Sequence, residues 1–184
     1  MPSVWQGPRV RLRAFTADDW AAYHAWNADD EQARNLDQIH FPQSPERARQ
    51  WAEAEAARAP DGDNVRLVIE DEHGAVIGDL STHDCNPRVG AFFYGVSIRP
   101  DKRGRGYASE AITLLLRYFF EERRYQKATV MVYSFNAASA RLHEQLGFQL
   151  EGRIRRAAYT GGAHHDALFY GITAEEFAVA SERT

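Results

Sequence analysis

The feature that most constrains the fold is a strand, turn, helix and strand that follow one another over residues 89–135. VGAFFYGVSI (89–98) and KATVMVYSF (127–135) are rich in β-branched and aromatic residues, as strands are. The segment between them, GYASEAITLLLRYFFEERR (106–124), carries apolar residues at helical spacing. Because a helical crossover returns the chain to the same end of a sheet, the two strands are predicted to run parallel.

The rest of the chain adds strands and helices around this unit. Apolar patterning predicts strands over three upstream runs and two downstream runs joined by TGG: 10–15, 65–71, 75–85 and the pair within 148–173. Capping signals predict three further helices: 16–27, 44–59 and 136–147. The order predicts an α/β (α+β) fold, in which helices cover both faces of a mixed, mostly antiparallel, twisted sheet of about seven strands. We expect one domain over 1–184.

The turn RPDKRGRGYASEA (99–111) joins the first strand of the central unit to its helix. This position sets a loop beside the free N–H groups and partial positive charge of a helix N-terminus. Gly104 and Gly106 allow positive φ angles and a close approach of the backbone to a ligand. Arg103 and Arg105 add positive charge. The combination favours a phosphate or pyrophosphate ligand.

Four other interpretations of this turn compete with an anion-binding loop. A dinucleotide-binding fingerprint needs a third glycine where the chain has Ser109, and a P-loop needs a G-K-[ST] ending that is missing. Nucleic-acid binding is disfavoured because the chain carries a net charge of -4. An ordinary capped turn stays open on these residues alone.

Two motifs in this order resemble those of the GNAT N-acetyltransferases. Residues 103–108 are similar to that family's coenzyme A loop, Q/R-x-x-G-x-G/A. A second family segment is matched by Asn136, Ser139, Leu142, His143, Leu146, Gly147 and Phe148. Gly162, Asp166 and Tyr170 resemble the closing strands of the RimJ/RimL branch. The resemblance implies a GNAT fold whose central parallel strands splay to hold acetyl-CoA, and an acetyl-CoA-dependent N-acetyltransferase.

The resemblance also implies where the cofactor lies. The backbone of the first strand's end would pair with the pantetheine arm like an added strand, through Val96, Ser97 and Ile98. The same N–H groups could stabilise an oxyanion. The turn would hold the pyrophosphate through Arg103, Gly104, Arg105, Gly106, Tyr107, Ala108 and Ser109. Asn136 would bind the pantetheine or an ordered water.

Candidate proton carriers follow from spacing and resemblance. Asn136, Ser139 and His143 are three and four residues apart, so they share one helical face. Many GNAT enzymes carry a tyrosine acid where this chain has His143, whereas the RimJ/RimL branch carries a serine at the Ser139 position. We favour Ser139 as donor to the departing thiolate and keep His143 as second candidate; capping and packing are the structural alternatives. Asp79, Asp84, Glu110 or a water relay could accept the amine proton, although Glu110 also suits the first helical turn.

Other reactive residues have both a functional and a structural interpretation. Cys85, the only cysteine, is either a nucleophile or a small packed residue. His164 and His165 are adjacent, so they point to opposite faces of a strand and no metal site is expected; Asp166 is expected to be structural. Five aromatic residues either line an acceptor groove or fill a core: Trp20, Tyr23, Trp26, Phe41 and Trp51.

The acceptor is expected to be a primary amine, on a protein N-terminus or a small molecule. No apolar run approaches membrane-spanning length and no signal-peptide core begins the chain, so a cytoplasmic protein is expected. The branch resemblance suggests a homodimer. The alternative function is a non-catalytic protein that binds and senses acyl-CoA.

Overall fold

The computed structural model describes residues 3–36 and 39–181. Seven strands form one sheet in the order β1-β2-β3-β4-β5-β7-β6. Their bounds are β1 Val10–Ala14, β2 Arg66–Asp71, β3 Val76–Asn86, β4 Ala91–Ile98, β5 Lys127–Tyr133, β6 Gln149–Thr160 and β7 Ala163–Thr173. The helices are α1 Trp20–Trp26, α2 Asp30–Leu36, α3 Pro45–Ala56, α4 Tyr107–Arg117, α5 Ala137–Gln145 and α6 Ala174–Ser181. The mixed seven-stranded sheet confirms the predicted fold class.

The central strands β4 and β5 run parallel, as their connection through α4 requires. Their register covers three residue pairs, from Ala91 with Lys127 to Phe93 with Thr129, although both strands continue beyond these residues. The described pairs β1–β2, β2–β3, β5–β7 and β6–β7 are antiparallel. The mostly antiparallel sheet with one parallel pair is therefore confirmed.

The chain divides into two compact units. The first comprises Met1–Ser81 and Val96–Leu114. Its helices α1 and α3 bring aromatic rings onto β1 and β2, where a core cluster forms from Phe15, Tyr23, Trp26, Ala52 and Val68. The Tyr23 ring lies 5.0 Å from Phe15 and 4.7 Å from Trp26, distances at which aromatic pairs add to area burial. Tyr23 and Trp26 are therefore core residues.

The second unit comprises Thr82–Gly95 and Leu115–Thr184. Phe92 of β4 is 1% exposed and stacks on Phe119 at 4.3 Å between ring centroids. Tyr94, two residues further along β4, points to the same face and packs near His143 and Phe148. This face of β4 is thus the aromatic core of the unit.

Three local features differ from the predicted helices. The long helix gives way after Arg117 to a π-helical turn, Tyr118–Glu122. The predicted helix 16–27 begins as a 3-10 turn, Ala17–Asp19, because the Asp19 carboxylate accepts the Thr16 N–H at 2.8 Å. Helices α2 and α6 were not predicted at all.

Candidate functional site

The glycine-rich turn has the backbone that the sequence predicted. A 3-10 turn, Pro100–Lys102, follows β4, and α4 begins at Tyr107. Gly104 has φ +71° and Gly106 has φ +83°, in the left-handed region that side chains other than glycine rarely adopt. Both glycines are exposed, so the helix N-terminus and the turn before it are open to an anion.

Two basic side chains of the turn are held by acidic residues. The Lys102 Nζ donates to the Asp71 carboxylate at 2.7 Å, and Arg99 forms an ion pair with Asp101 at 2.8 Å. Asp71 is 1% exposed at its side chain and also accepts two backbone N–H groups of the β2–β3 turn. Although burial opposes ionisation, the Lys102 hydrogen bond holds the pKa of Asp71 below its ordinary value. Lys102 therefore fastens the turn rather than adding free charge to it.

The Arg103 side chain is also engaged in contacts within the protein. Its Nε donates to the Ile98 carbonyl at 3.0 Å, and its terminal nitrogens lie 3.3 Å from the side-chain oxygens of Gln32 and Glu31 in α2. In the described part of the chain, the Arg105 guanidinium has no hydrogen bond or ion pair. Of the two arginines that the sequence offered to a pyrophosphate, Arg105 is the one available without breaking a contact.

The end of β4 is braced by a buried polar group. Ser97 is 8% exposed, and its hydroxyl donates to Asp79 at 2.8 Å. The other carboxylate oxygen of Asp79 accepts from Arg66 at 2.7 Å. Burial raises the pKa of Asp79, while the Arg66 charge opposes the rise. Asp79 is one of the acids considered as a base, and the structure places it in this network.

The carboxylate of Glu110, a second candidate base, is engaged in hydrogen bonds with Arg9 and Val10. Its carboxylate accepts the backbone N–H groups of Arg9 at 2.8 Å and Val10 at 3.1 Å, and the Arg9 Nε at 3.1 Å. Another nitrogen of Arg9 donates to the Arg105 carbonyl at 2.7 Å. Arg9 was not foreseen, because nothing in the sequence near position 9 indicates a partner about one hundred residues away.

Helix α5 gathers Asn136, Ser139 and His143 as the spacing predicted. The Asn136 side chain accepts the Ser139 N–H at 3.1 Å and so caps the helix. The His143 Nδ1 lies 2.7 Å from the Ser139 carbonyl and 3.4 Å from the Ser139 hydroxyl. Since a carbonyl only accepts, Nδ1 carries the proton and donates it there. The Ser139 hydroxyl proton is then directed away from the imidazole.

His143 lies in the core of the second unit. It is 0% exposed, its ring lies 5.1 Å from Phe148 and 5.9 Å from Tyr94, and Nε2 has no hydrogen-bond partner. Burial lowers the pKa of His143 to about 4, although the bond to the Ser139 carbonyl opposes this. The imidazole is therefore neutral at physiological pH.

The third candidate base, Asp84, lies on β3 in the second unit. Its carboxylate is 3.1 Å from the Nδ1 of His83, and both side chains are exposed. The φ of +51° at Asp84 interrupts the strand's alternation, so neighbouring side chains can meet. Cys85, next along the strand, is half-buried.

The remaining candidates have mixed placements. Asp166 accepts the Arg156 N–H at 2.8 Å and the Arg153 side chain at 2.5 Å, in line with a structural role. Within residues 3–36 and 39–181, no group of three metal-ligating side chains occurs. Phe41 is 94% exposed, unlike the core aromatics, and Trp51 packs at the core edge 5.5 Å from Phe15.

Comparison with known proteins places these features in context. The Acetyltransferase (GNAT) domain family matches residues 9–149. The SPbeta prophage-derived uncharacterized N-acetyltransferase YokL of Bacillus subtilis (strain 168) is 39% identical over 175 residues, which are 95% of this chain and 96% of that protein. The L-methionine sulfoximine/L-methionine sulfone acetyltransferase of Pseudomonas paraeruginosa (strain DSM 24068 / PA7) is 34% identical over 119 residues, 61% of this chain and 66% of that protein.

A solved structure shares the fold. Spermidine N-acetyltransferase from Vibrio cholerae, in complex with CoA and spermine, superposes with a TM-score of 0.81 at 21% identity. The superposition covers 94% of this chain and 99% of that one. In the described part of this chain, no helix is both long and apolar enough to cross a membrane.

Proposed function

The chain belongs to the GNAT acetyltransferase family and is an N-acetyltransferase, and we propose that it moves the acetyl group of acetyl-CoA to a primary amine. The observation that carries the proposal is the exposed glycine-rich turn at the start of α4, with left-handed Gly104 and Gly106. A helix N-terminus with an open turn is suited to the pyrophosphate of CoA. The bound CoA in the Vibrio cholerae structure, which shares this fold, supports the same donor.

In the proposed site the turn binds the pyrophosphate and the end of β4 binds the pantetheine arm. Backbone N–H groups of Tyr107, Ala108 and Ser109 belong to the first turn of α4, where no intrahelical carbonyl satisfies them. Arg105 supplies a guanidinium with no competing partner in the described chain. The backbone of Val96 and Ser97 remains our choice for pairing with the pantetheine, whereas the Ile98 carbonyl already accepts from Arg103.

The proposed chemistry is direct attack in a ternary complex. The amine nitrogen attacks the thioester carbonyl, the carbonyl oxygen becomes an oxyanion, and the C–S bond then breaks to release CoA thiolate. The amine loses its proton to a base or to water, and the thiolate gains one. We assign the donor hydrogen bond to the Ser139 hydroxyl, because His143 is neutral and directs its own N–H to the Ser139 carbonyl. His143 then positions Ser139, and Asn136 caps the helix that carries it.

We propose a small amine as the acceptor. The relatives named above include acetyltransferases named for methionine derivatives and for spermidine, and these compounds carry amines. Within the family, the RimJ/RimL-like assignment rests on Gly162, Asp166 and Tyr170, and a protein N-terminus is the alternative acceptor. A single domain, a cytoplasmic location and a homodimer stay predictions.

Incubation with acetyl-CoA and a panel of amines tests the proposed function. The panel contains spermidine, amino-acid derivatives and a peptide with a free N-terminus, and release of CoA thiol is measured. We expect turnover with at least one amine, and a loss of about a hundredfold in kcat for Ser139→Ala, a magnitude typical of a lost proton donor. Ser181→Ala is the matched control, since Ser181 is a helical serine whose hydroxyl donates to the Phe177 carbonyl of its own helix.

The result separates two functions. Binding of acetyl-CoA without turnover on any amine would favour the non-catalytic sensor. An equal kcat for Ser139→Ala and Ser181→Ala would reject Ser139 as the donor while leaving the transferase function intact.

A further inference from the structure

We infer that Arg9 is a positioning residue for the coenzyme A loop and that it sets the affinity of the loop for the pyrophosphate. Arg9 lies near the start of the first unit's sequence, whereas the loop lies near its end. This inference rests on the proposed function, because it assigns a role to Arg9 in that donor site. Arg9 precedes β1 and lies outside both family motifs. Every contact that carries the inference is within the first unit.

The Arg9 side chain joins the glycine-rich part of the turn to the first helical turn of α4. One terminal nitrogen donates to the Arg105 carbonyl at 2.7 Å, and Nε donates to Glu110 in the first turn of α4 at 3.1 Å. The guanidinium carbon also lies 5.6 Å from the centre of the Tyr107 ring. A planar guanidinium with donors on several edges can make these contacts together, whereas an ammonium cannot.

These contacts act on the part of the turn that would face an anion. Arg9 holds the Arg105 carbonyl, and because C=O and N–H point in opposite directions in a trans peptide, the Gly106 N–H is directed away from Arg9. The terminal nitrogen Nη2 of Arg9 packs over Gly106, 2.9 Å from where a Cβ would stand. The left-handed Gly106 is thereby held between the guanidinium and the start of α4.

The Glu110 carboxylate anchors this arrangement. It accepts two backbone N–H groups at the start of β1 in addition to the Arg9 Nε, and its side chain is 14% exposed. The carboxylate is thus fixed, and it fixes the guanidinium in turn. Because the Arg9 side chain itself is 48% exposed, its role is not to fill a core, and its loss should leave the fold intact.

Ligand binding to the full chain tests the inference. Dissociation constants for CoA, 3′-dephospho-CoA and pantetheine are measured by calorimetry for wild type, Arg9→Ala and Arg9→Lys. We expect both variants to bind CoA and 3′-dephospho-CoA about tenfold to a hundredfold more weakly, the range for loss of charge-assisted hydrogen bonds. Affinity for pantetheine, which lacks the pyrophosphate, should be unchanged.

Arg11→Ala is the matched control. Arg11 lies two residues further along the chain, in β1; its side chain is 59% exposed and forms a long, 3.9 Å pair with Glu70. Its replacement removes the same charge without touching the turn, so its CoA affinity should remain close to wild type. Circular dichroism and thermal unfolding establish that each variant is folded.

Four outcomes would overturn the inference. Wild-type affinity for CoA in Arg9→Ala would remove any role for Arg9. An equal loss for CoA and pantetheine, or an equal loss in Arg11→Ala, would reduce the effect to general structure or charge. Absence of CoA binding by the wild-type chain would overturn the proposed function, and this inference with it.

Discussion

Replacement of His143 by phenylalanine should remove one source of acid sensitivity. The imidazole is fully buried, and its pKa is lowered from the ordinary 6.5 to about 4, chiefly by burial. Below pH 6.5 the unfolded chain binds a proton at this position and the folded chain does not. The free energy of unfolding therefore decreases as the pH is lowered, until the pH reaches the folded pKa. At about 1.36 kcal/mol per pKa unit the full effect is about 3.4 kcal/mol, of which about 2.5 kcal/mol is lost by pH 4.5.

Urea unfolding at pH 7.5 and pH 4.5, followed by far-UV circular dichroism, measures this effect. Wild type should lose about 2.5 kcal/mol more stability than His143→Phe between the two pH values, because the phenyl ring cannot be protonated. The carboxylates titrate in both proteins, so their contribution to the pH dependence cancels in the difference. His164→Phe, which replaces an exposed histidine, should behave as wild type does. Equal pH dependence in wild type and His143→Phe would refute the assignment of a buried, neutral imidazole.

Two further predictions concern the turn and its support. Asp71→Asn should lower the free energy of unfolding by about 1.5–3 kcal/mol at pH 7, because the buried bond to Lys102 loses its charge; chemical denaturation measures it, and an unchanged midpoint would contradict it. Gly106→Ala and Gly104→Ala should each lose about 1–2 kcal/mol of stability, since both φ angles are left-handed. Gly106→Ala should weaken CoA binding more than Gly104→Ala, because its new Cβ would also meet Arg9, whereas a Cβ at position 104 would meet no protein atom; equal CoA affinities of the two variants would contradict this.

Local signals were sufficient for several elements of the fold. Ser44 accepts the Arg47 N–H at 3.2 Å before α3, and Asn136 caps α5, as expected from their sequence positions. Such caps are predictable because both partners lie within three residues. The parallel direction of β4 and β5 was equally predictable, since a helical crossover allows little else.

Two short helices, α2 and α6, have capping residues at their N-termini, but the apolar pattern of the sequence did not predict them. Helix α2 begins where the Asp29 side chain accepts the Glu31 and Gln32 N–H groups. Before α6, Thr173 and Glu176 exchange hydrogen bonds in a capping box. Their seven and eight residues are too few for an apolar period to stand out, so only the caps could have indicated them.

The sequence by itself determined the order of the seven strands and of the helices α1, α3, α4 and α5. It also determined the open turn before α4 and the helical face shared by Asn136, Ser139 and His143. These features depend on residues close together in the chain. Only the tertiary structure decided which charged groups remain available: Arg103 is engaged with α2, and Glu110 is engaged with Arg9. The partners in these two cases are 71 and 101 residues apart in the chain, a separation that local patterns do not encode.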